Sequence, residues 1–534
     1  MGYGMLWLAT LAAALALGAA LLATATRRAT VLKQRLTAAA CMAGILLPGA
    51  TLLLAGFASL LGNGIAPLLA WVLALGTGIA ATVWRAFRIR GGEPAGRAWS
   101  RSWLFSGFAV FAALSAMTFW TLDRAVLDRL HAVRMEAGAM ALAATAPRIP
   151  DHQNAAPLYQ EAFESLDAFK RRSPVGEKQL GEWLGETPTD ADLRSEAMAG
   201  ALAQVAGDLA LLRRAAAMPG CHFEHNTGSL YAIMLPELSA FRNAARWMAL
   251  EGRHAAAHGD AAAAIRNAAA ISRMAGHCAQ EPFVISGLVA AAMEGISAGL
   301  LDAALASGPV QPPNAGPWAD LPPVSYRMVL QRALRMEMAA GLEGFCQLAD
   351  GSLDLRGLTG QTNGPHSLIS RVAMPFWRVF FLETDLAFYR HAQQEYVNRL
   401  SKPYARQVEQ KDRTELPRDA AHVISALMLP ALDRIGEPAA RADAHRRLAR
   451  LAVAVAAYRA AEGAYPARLE DLAPKYAERI PLDPFDDRPL RMAAKGKGVV
   501  VYSIGPDRKD DGGTAEQKDA SPPADLVLRI GTGL

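Results

Sequence analysis

Histidines and cysteines crowd one stretch of the chain, where Cys221, His222, His225, His254, His258, His277 and Cys278 follow one another. His254 and His258 stand one helical turn apart. With a cysteine or histidine from the segment near 221 they make an N/S donor set of the kind zinc takes. A metalloprotease helix carries a glutamate directly after its first histidine, and Ala255 stands there instead. The competing reading is a pair of histidines on a polar helix face. Cys221, Cys278 and Cys346 are the cysteines outside the N-terminal apolar region. In an oxidising compartment Cys221 and Cys278 are the pair expected to bridge, and burial as small apolar residues is the alternative. No glycine-rich phosphate loop follows a strand pattern, no Gly-x-Ser-x-Gly elbow occurs, and no carboxylate pair stands out. The expectation is a protein without catalytic activity, with a membrane-bound zinc hydrolase as the alternative.

The elements that would hold these residues divide along the chain. Residues 1–26, 36–84 and 102–122 contain no charged side chain. A span of the hydrocarbon core takes about 20 apolar residues, so the outer stretches supply one helix each and the middle one supplies two, parted at Gly62-Asn63-Gly64. Residues 27–35 carry four basic side chains and 85–101 carry five. The positive-inside rule puts both loops in the cytoplasm and everything after Leu122 outside it. The small-residue sequence Ala23-Thr24-Ala25 resembles a cleavage site, but no basic n-region precedes it. Through Leu122 nine basic residues face Glu93 alone, a net of +8 in a chain of +5, so the remainder carries −3. A slightly acidic remainder has no footprint for a phosphate backbone, which excludes nucleic acid as a partner.

From Asp123 the pattern is helical. Ala125 to Ala146, Asn154 to Phe169, Leu193 to Ala217 and Met328 to Ala349 read as helices, and the prolines of 309–323 mark a linker or long loop. Phe376, Trp377, Phe380, Phe381, Phe388 and Tyr389 read as a core helix, because Arg378, Glu383 and Asp385 interrupt the aromatic run. Across Ala244 to Met274, Gly252, Gly259, Asp260, Ala264 and Ile265 have the small-residue rhythm of one tetratricopeptide-like hairpin. One unit is too few for a solenoid, which favours a hairpin inside an irregular helical domain. Arg441 to Ala461 is an amphipathic helix with Leu448, Leu451, Val455 and Tyr458 on one face and Gly463 as its C-cap. Leu490 to Met492, Gly498 to Tyr502 and Leu526 to Ile530 alternate as three short strands.

The order of motifs in this last part resembles the C-terminal region of a type II secretion major pseudopilin. The motifs are Ala457-Tyr458-Arg459, Gly463-Ala464-Tyr465-Pro466, Asp483-Pro484-Phe485 and Tyr502-Ser503-Ile504-Gly505-Pro506-Asp507. The likeness covers about the final 95 residues. It implies a pilin-like α+β module and a calcium site in the loop after the penultimate strand, with Ser503, Asp507, Asp511 and Asp519 as ligands. Ser503 and Asp507 fall in the matching motif, and Asp511 and Asp519 match in general position. Calcium takes about six to eight oxygen ligands, and an ion suits a loop too polar to bury a core. The family's leader and its hydrophobic helix with an early glutamate have no counterpart ahead of Arg441.

The fold expected is therefore mainly α. Residues 1–122 form a four-helix transmembrane region, 123–435 an α-helical soluble domain, and 436–534 a small α+β pseudopilin-like module. The protein expected is a multi-pass protein of the bacterial inner membrane whose C-terminal portion is periplasmic. It would act as a non-enzymatic scaffold or protein-interaction protein of the cell envelope, with the lipid bilayer and envelope or secretion-system proteins as partners. A component linked to type II secretion or pilus-like assembly is the alternative.

Overall fold

The computed structural model describes residues 95–145, 149–173, 175–185, 188–225, 235–306, 318, 320–353, 374, 377–409, 419–429, 435–514 and 525–531. Its principal helices are α1 (Ala95–Ala144), α2 (Ala156–Arg172), α3 (Glu196–Ala216), α4 (Glu237–Ala257) and α5 (Ala261–Cys278). They continue with α6 (Val284–Ala306), α7 (Tyr326–Asp350), α8 (Leu382–Ser401), α9 (Val423–Met428) and α10 (Gly436–Glu462). The strands are β1 (Arg491–Lys495), β2 (Gly498–Ser503) and β3 (Leu526–Ile530). Contacts divide the chain into two units, Met1–Gly138 with Gly341–His391 and Glu415–Pro430, and Ala139–Ala340 with Ala392–Thr414 and Ala431–Leu534.

In the first unit Leu122 and Val379 share an apolar cluster with Phe119 and Phe380. Asp123 meets Arg378 at 2.6 Å beside it. Asp385 is fully buried, and its carboxylate accepts the backbone N–H groups of Ile424 and Ser425, both at 3.0 Å. Those N–H groups belong to the first turn of α9, where no intrahelical acceptor exists, so a buried carboxylate there acts as a cap supplied from another helix. The aromatic run accordingly has core surroundings, with Trp377 and Tyr389 both buried around Phe345.

In the second unit α4, α5 and α6 pack on one another, and α10 and β3 cover α6. The turn between α4 and α5 follows the residue types: Gly259 has φ of +90°, and the Asp260 carboxylate caps α5 by accepting from Ala263 N at 2.8 Å. Gly252 lets the helices close. A Cβ there would stand 2.8 Å from Leu300 Cδ2 and 3.3 Å from the Cα of Ala264. Helix α10 ends where Gly463 adopts φ of +79°. The strands form an antiparallel sheet in the order β1-β2-β3, with Arg491 opposite Tyr502 and Ser503 opposite Leu526. Every residue of β2 is buried. The sheet is tied to α6 by Asp302, which accepts Arg529 N at 2.7 Å and Arg529 Nε at 3.1 Å, and by Gly531 N donating to Leu305 O.

The four-helix transmembrane region and the multi-pass inner-membrane localisation are corrected here. Among the described residues one helix, α6, is long and apolar enough to cross a membrane, and 61 % of its apolar window is buried inside the protein. It carries Glu294 at 1 % exposure and packs on helices along its length, so it is a core helix. Uncharged runs of Ala, Leu and Gly satisfy a span test whether their neighbours are lipid or other helices, and composition does not separate the two. Of the stretches that carried the expectation, 1–26 and 36–84 lie outside the described residues. The third, 102–122, lies on α1, whose side-chain surroundings are described from Phe119 onward. The periplasmic placement rested on the same spans and goes with them. The prolines of 309–317 also lie outside the described residues.

Candidate functional site

The histidine and cysteine segment folds against the ends of α2 and α5. Asn154 grips it from both sides, donating Nδ2 to His222 O and accepting His222 N, each at 2.9 Å. Gln280 and Glu281, just past α5, accept the next backbone groups: Cys221 N to Gln280 Oε1 at 2.8 Å and Phe223 N to Glu281 Oε1 at 3.2 Å. This leaves His225 Nε2 between two buried carboxylates, 3.2 Å from Glu281 Oε2 and 3.7 Å from Glu237 Oε1. The hydrogen bond that His225 donates to Glu281 raises the His225 pKa against the opposing effect of burial. Burial raises the Glu237 carboxyl, and its Oε1 has no hydrogen-bond partner. His225 is thus hydrogen-bonded to Glu281, with Glu237 as a second buried carboxyl group beside its ring.

Cys221 and Cys278 are free thiols, both buried, so the bridge expected between them is absent. Burial pushes both thiols far up, and the nearby Glu281 charge pushes the same way. A thiol held protonated is a poor nucleophile and a poor metal ligand. Behind them Tyr159 OH lies 2.9 Å from His277 Nδ1, and His277 Nε2 lies 3.1 Å from Met218 O. A carbonyl only accepts, so Nε2 carries the proton and Nδ1 accepts from the tyrosine. Burial lowers the His277 pKa to about 4, which keeps this ring neutral.

The rings of His254 and His258 lie with centroids 4.4 Å apart and tilted 48° to one another, and their Nδ1 atoms donate to Leu193 O at 2.7 Å and His254 O at 2.8 Å. Cys221 and His222 are held elsewhere, by Gln280 and Asn154. Among the described residues no group of three or more His, Cys, Asp or Glu side chains is arranged to hold a metal ion. The residues expected to bind calcium in the C-terminal loop have these partners. Ser503 Oγ donates to the fully buried Asp483 at 2.8 Å, Asp507 Oδ1 accepts Lys509 N at 3.1 Å, Asp511 N donates to Asp525 Oδ1, and Asp519 lies outside the described residues. A cation does stand nearby: Arg491 bonds Asp483 at 3.3 Å, Asp486 at 2.5 Å and Asp510 at 3.0 Å.

A second buried constellation joins α5, α6, α7 and α10. Glu294 takes both Ser272 Oγ and Tyr326 OH, the latter at 2.8 Å, and pairs with Arg446 Nη1 at 2.5 Å. Arg446 Nη2 donates to Pro322 O at 2.6 Å, while its buried Nε has no partner. Sequence reasoning found neither this network nor the Glu237–His225–Glu281 trio. The one legible signal was a glutamate inside an otherwise apolar helix, which requires a buried partner.

The clefts that open in this unit include two large ones. One, of about 1090 Å³, runs along α10 opposite residues 475–482. The other, of about 850 Å³, lies between the ends of α3 and α5 and the start of α7. Set beside known proteins, the chain matches no family model, no curated protein and no solved structure.

Proposed function

We propose that this protein is a non-enzymatic scaffold that binds a partner protein in the cleft along α10. The observation that carries the reading is the composition of that cleft. Its floor is apolar, with Trp318, Leu451, Ala454 and Ala457, and Arg447, Arg450, Lys475 and Arg479 line it against the single acidic residue Glu478. Arg447 Nη1 is held by Leu482 O at 2.7 Å and Lys475 by Glu462 at 3.0 Å, which fixes two of these cations in place. An apolar floor with a basic border suits an amphipathic segment with an acidic face, the helix-in-groove mode of recognition. The likeness of this region to pseudopilins makes an acidic segment of a secretion-type assembly protein the first partner class to test.

The test is a titration of the purified chain with three amphipathic peptides of equal apolar content whose polar faces are acidic, neutral or basic. The acidic peptide binds tightest, and Ala457→Arg, which fills the cleft from a half-buried position on α10, removes the binding. Equal affinity for all three peptides, or unchanged binding by Ala457→Arg, would overturn the reading.

A further inference from the structure

The zinc set expected from the histidine and cysteine segment is not assembled, because Cys221 and His222 are held by Gln280 and Asn154. Its other two members stay together. His254 and His258 stand one turn apart where α4 ends, with His258 as the C-cap residue. Their ring centroids are 4.4 Å apart and the ring planes are inclined at 48°. His258 is exposed and His254 half-buried, so the pair lies at the surface of its unit.

Hydrogen bonds fix the tautomer of both rings. His254 Nδ1 lies 2.7 Å from Leu193 O, and His258 Nδ1 lies 2.8 Å from His254 O. A carbonyl oxygen only accepts, so each neutral ring has its proton on Nδ1 and its lone pair on Nε2. Among the described residues none donates to either Nε2. Metal-binding histidines almost always show this second bond: the nitrogen away from the metal donates to a carbonyl, carboxylate or water, which sets the tautomer and orients the ring. Capping of a helix end accounts for the His258 bond by itself. It does not account for the His254 bond, which reaches 61 residues back to the last carbonyl of the short helix Asp190–Leu193.

The ring spacing suits a shared ion. With metal–nitrogen bonds of about 2.0–2.1 Å, two imidazoles about 90° apart around one metal have centroids about 4.5 Å apart, and at the tetrahedral angle about 5.2 Å. The observed 4.4 Å matches the first value, the angle of square-planar and octahedral ions and not of tetrahedral zinc. The C-terminus of α4 contributes about half a negative charge, which favours a cation there. Of the charged side chains flanking the pair in the chain, Arg253 opposes a cation and Asp260 favours one.

We propose that His254 and His258 bind one divalent transition-metal ion, copper(II) or nickel(II), through their Nε2 atoms, with water completing its coordination. Structural metal sites are closed by protein ligands, whereas two histidines and water leave the ion exchangeable.

Calorimetric titration of the full chain with copper(II) chloride, followed by electron paramagnetic resonance of the loaded protein, tests the assignment. The natural chain shows a saturable site for one ion, and the spectrum shows two imidazole nitrogens on the copper. His258→Ala, at an exposed position, weakens the site by at least the roughly tenfold that loss of a supporting hydrogen bond costs, and reduces the spectrum to one nitrogen. His254→Ala has the same effect, and His152→Ala, at an exposed histidine far off in the chain, changes neither readout. Absence of saturable binding, or affinity and spectrum unchanged in His258→Ala, would overturn the proposal.

Discussion

The guanidinium of Arg446 meets the carboxylate of Glu294 at 2.5 Å, with side chains 5 % and 1 % exposed, 152 residues apart in the chain. Two charges this far from water are costly unless their remaining hydrogen-bonding groups are met. Here Ser272 and Tyr326 complete the carboxylate, and the Ser272 and Pro322 carbonyls take the two terminal nitrogens of the guanidinium, leaving its Nε without a partner. The pair therefore fixes α10 on α6 in one register, which makes it the position where a single change does most damage. Glu294→Leu strands a buried cation and is expected to cost about 3–5 kcal/mol, whereas Glu294→Leu with Arg446→Met costs much less. Urea denaturation of the two variants checks this. A double variant no more stable than the single one would show that the charges themselves stabilise the fold.

Acid is expected to loosen the same unit through His277. Burial lowers the folded pKa of its ring to about 4, below an ordinary value of 6.5, so the unfolded chain binds the extra proton first. Stability from this group is present above pH 6.5 and is lost as pH falls from 6.5 toward about 4, by on the order of 3 kcal/mol. His445, lowered to about 4 by burial, acts in the same direction. His225 has the opposite sign: its raised pKa gives stability fully present below pH 6.5 and lost as pH rises through the folded value. Glu237 and Asp443, both raised by burial, also favour the folded state in acid and oppose the histidine loss. Denaturation midpoints between pH 7 and pH 4 should fall for the natural chain and fall less for His277→Gln. An identical acid slope in that variant would rule His277 out as the cause.

The hairpin of α4 and α5 gives a third expectation. A Cβ at position 252 would meet both Leu300 methyls within 2.9 Å and the Ala264 backbone at 3.3 Å, and Leu300 is fully buried. Gly252→Ala is expected to cost about 1–3 kcal/mol as overpacking. Asp260→Ala removes the cap on Ala263 N and costs about 1 kcal/mol. Thermal unfolding of the two variants separates these mechanisms, since a second substitution Leu300→Val should recover part of the first loss and none of the second.

That hairpin was legible in the sequence because glycine and aspartate act locally: Gly259 takes its positive φ and Asp260 caps the helix within four residues of chain. Helix α10, its stop at Gly463 and the three strand segments were legible for the same reason. Side chains that meet across the fold were not. Nothing near Glu281 or Glu237 in the chain announces that both will face His225, and Arg446 finds Glu294 only after α10 has packed on α6. The cysteines illustrate the converse. Cys221 and Cys278 were paired by compartment and count, but the segment carrying Cys221 is anchored by Asn154, Gln280 and Glu281, and the thiols stay separate. The span reading overreached because apolar runs of Ala, Leu and Gly have the same composition in a membrane helix and in a core helix such as α6, and only the neighbours distinguish the two.

The bond from Asp302 to Arg529 carries the last expectation. Asp302 lies on the last turns of α6 and accepts the Arg529 backbone N at 2.7 Å together with its guanidinium. The backbone bond matters more. Arg529 N is a strand N–H on β3, which pairs with β2 and has no further strand beyond it among the described residues, so without Asp302 that donor loses its partner. The ion pair adds little on its own, because Arg529 is 43 % exposed at the side chain and solvent screens it. Asp302→Asn keeps an acceptor for the amide and should cost well under about 1 kcal/mol, while Asp302→Ala should cost about 1–2 kcal/mol. Hydrogen exchange locates the effect: amide protection at Arg529 falls in Asp302→Ala and persists in Asp302→Asn, with β1 unchanged in both. Equal loss of protection along the whole sheet in Asp302→Ala would mean that the contact holds the sheet as a unit, and the local account would be wrong.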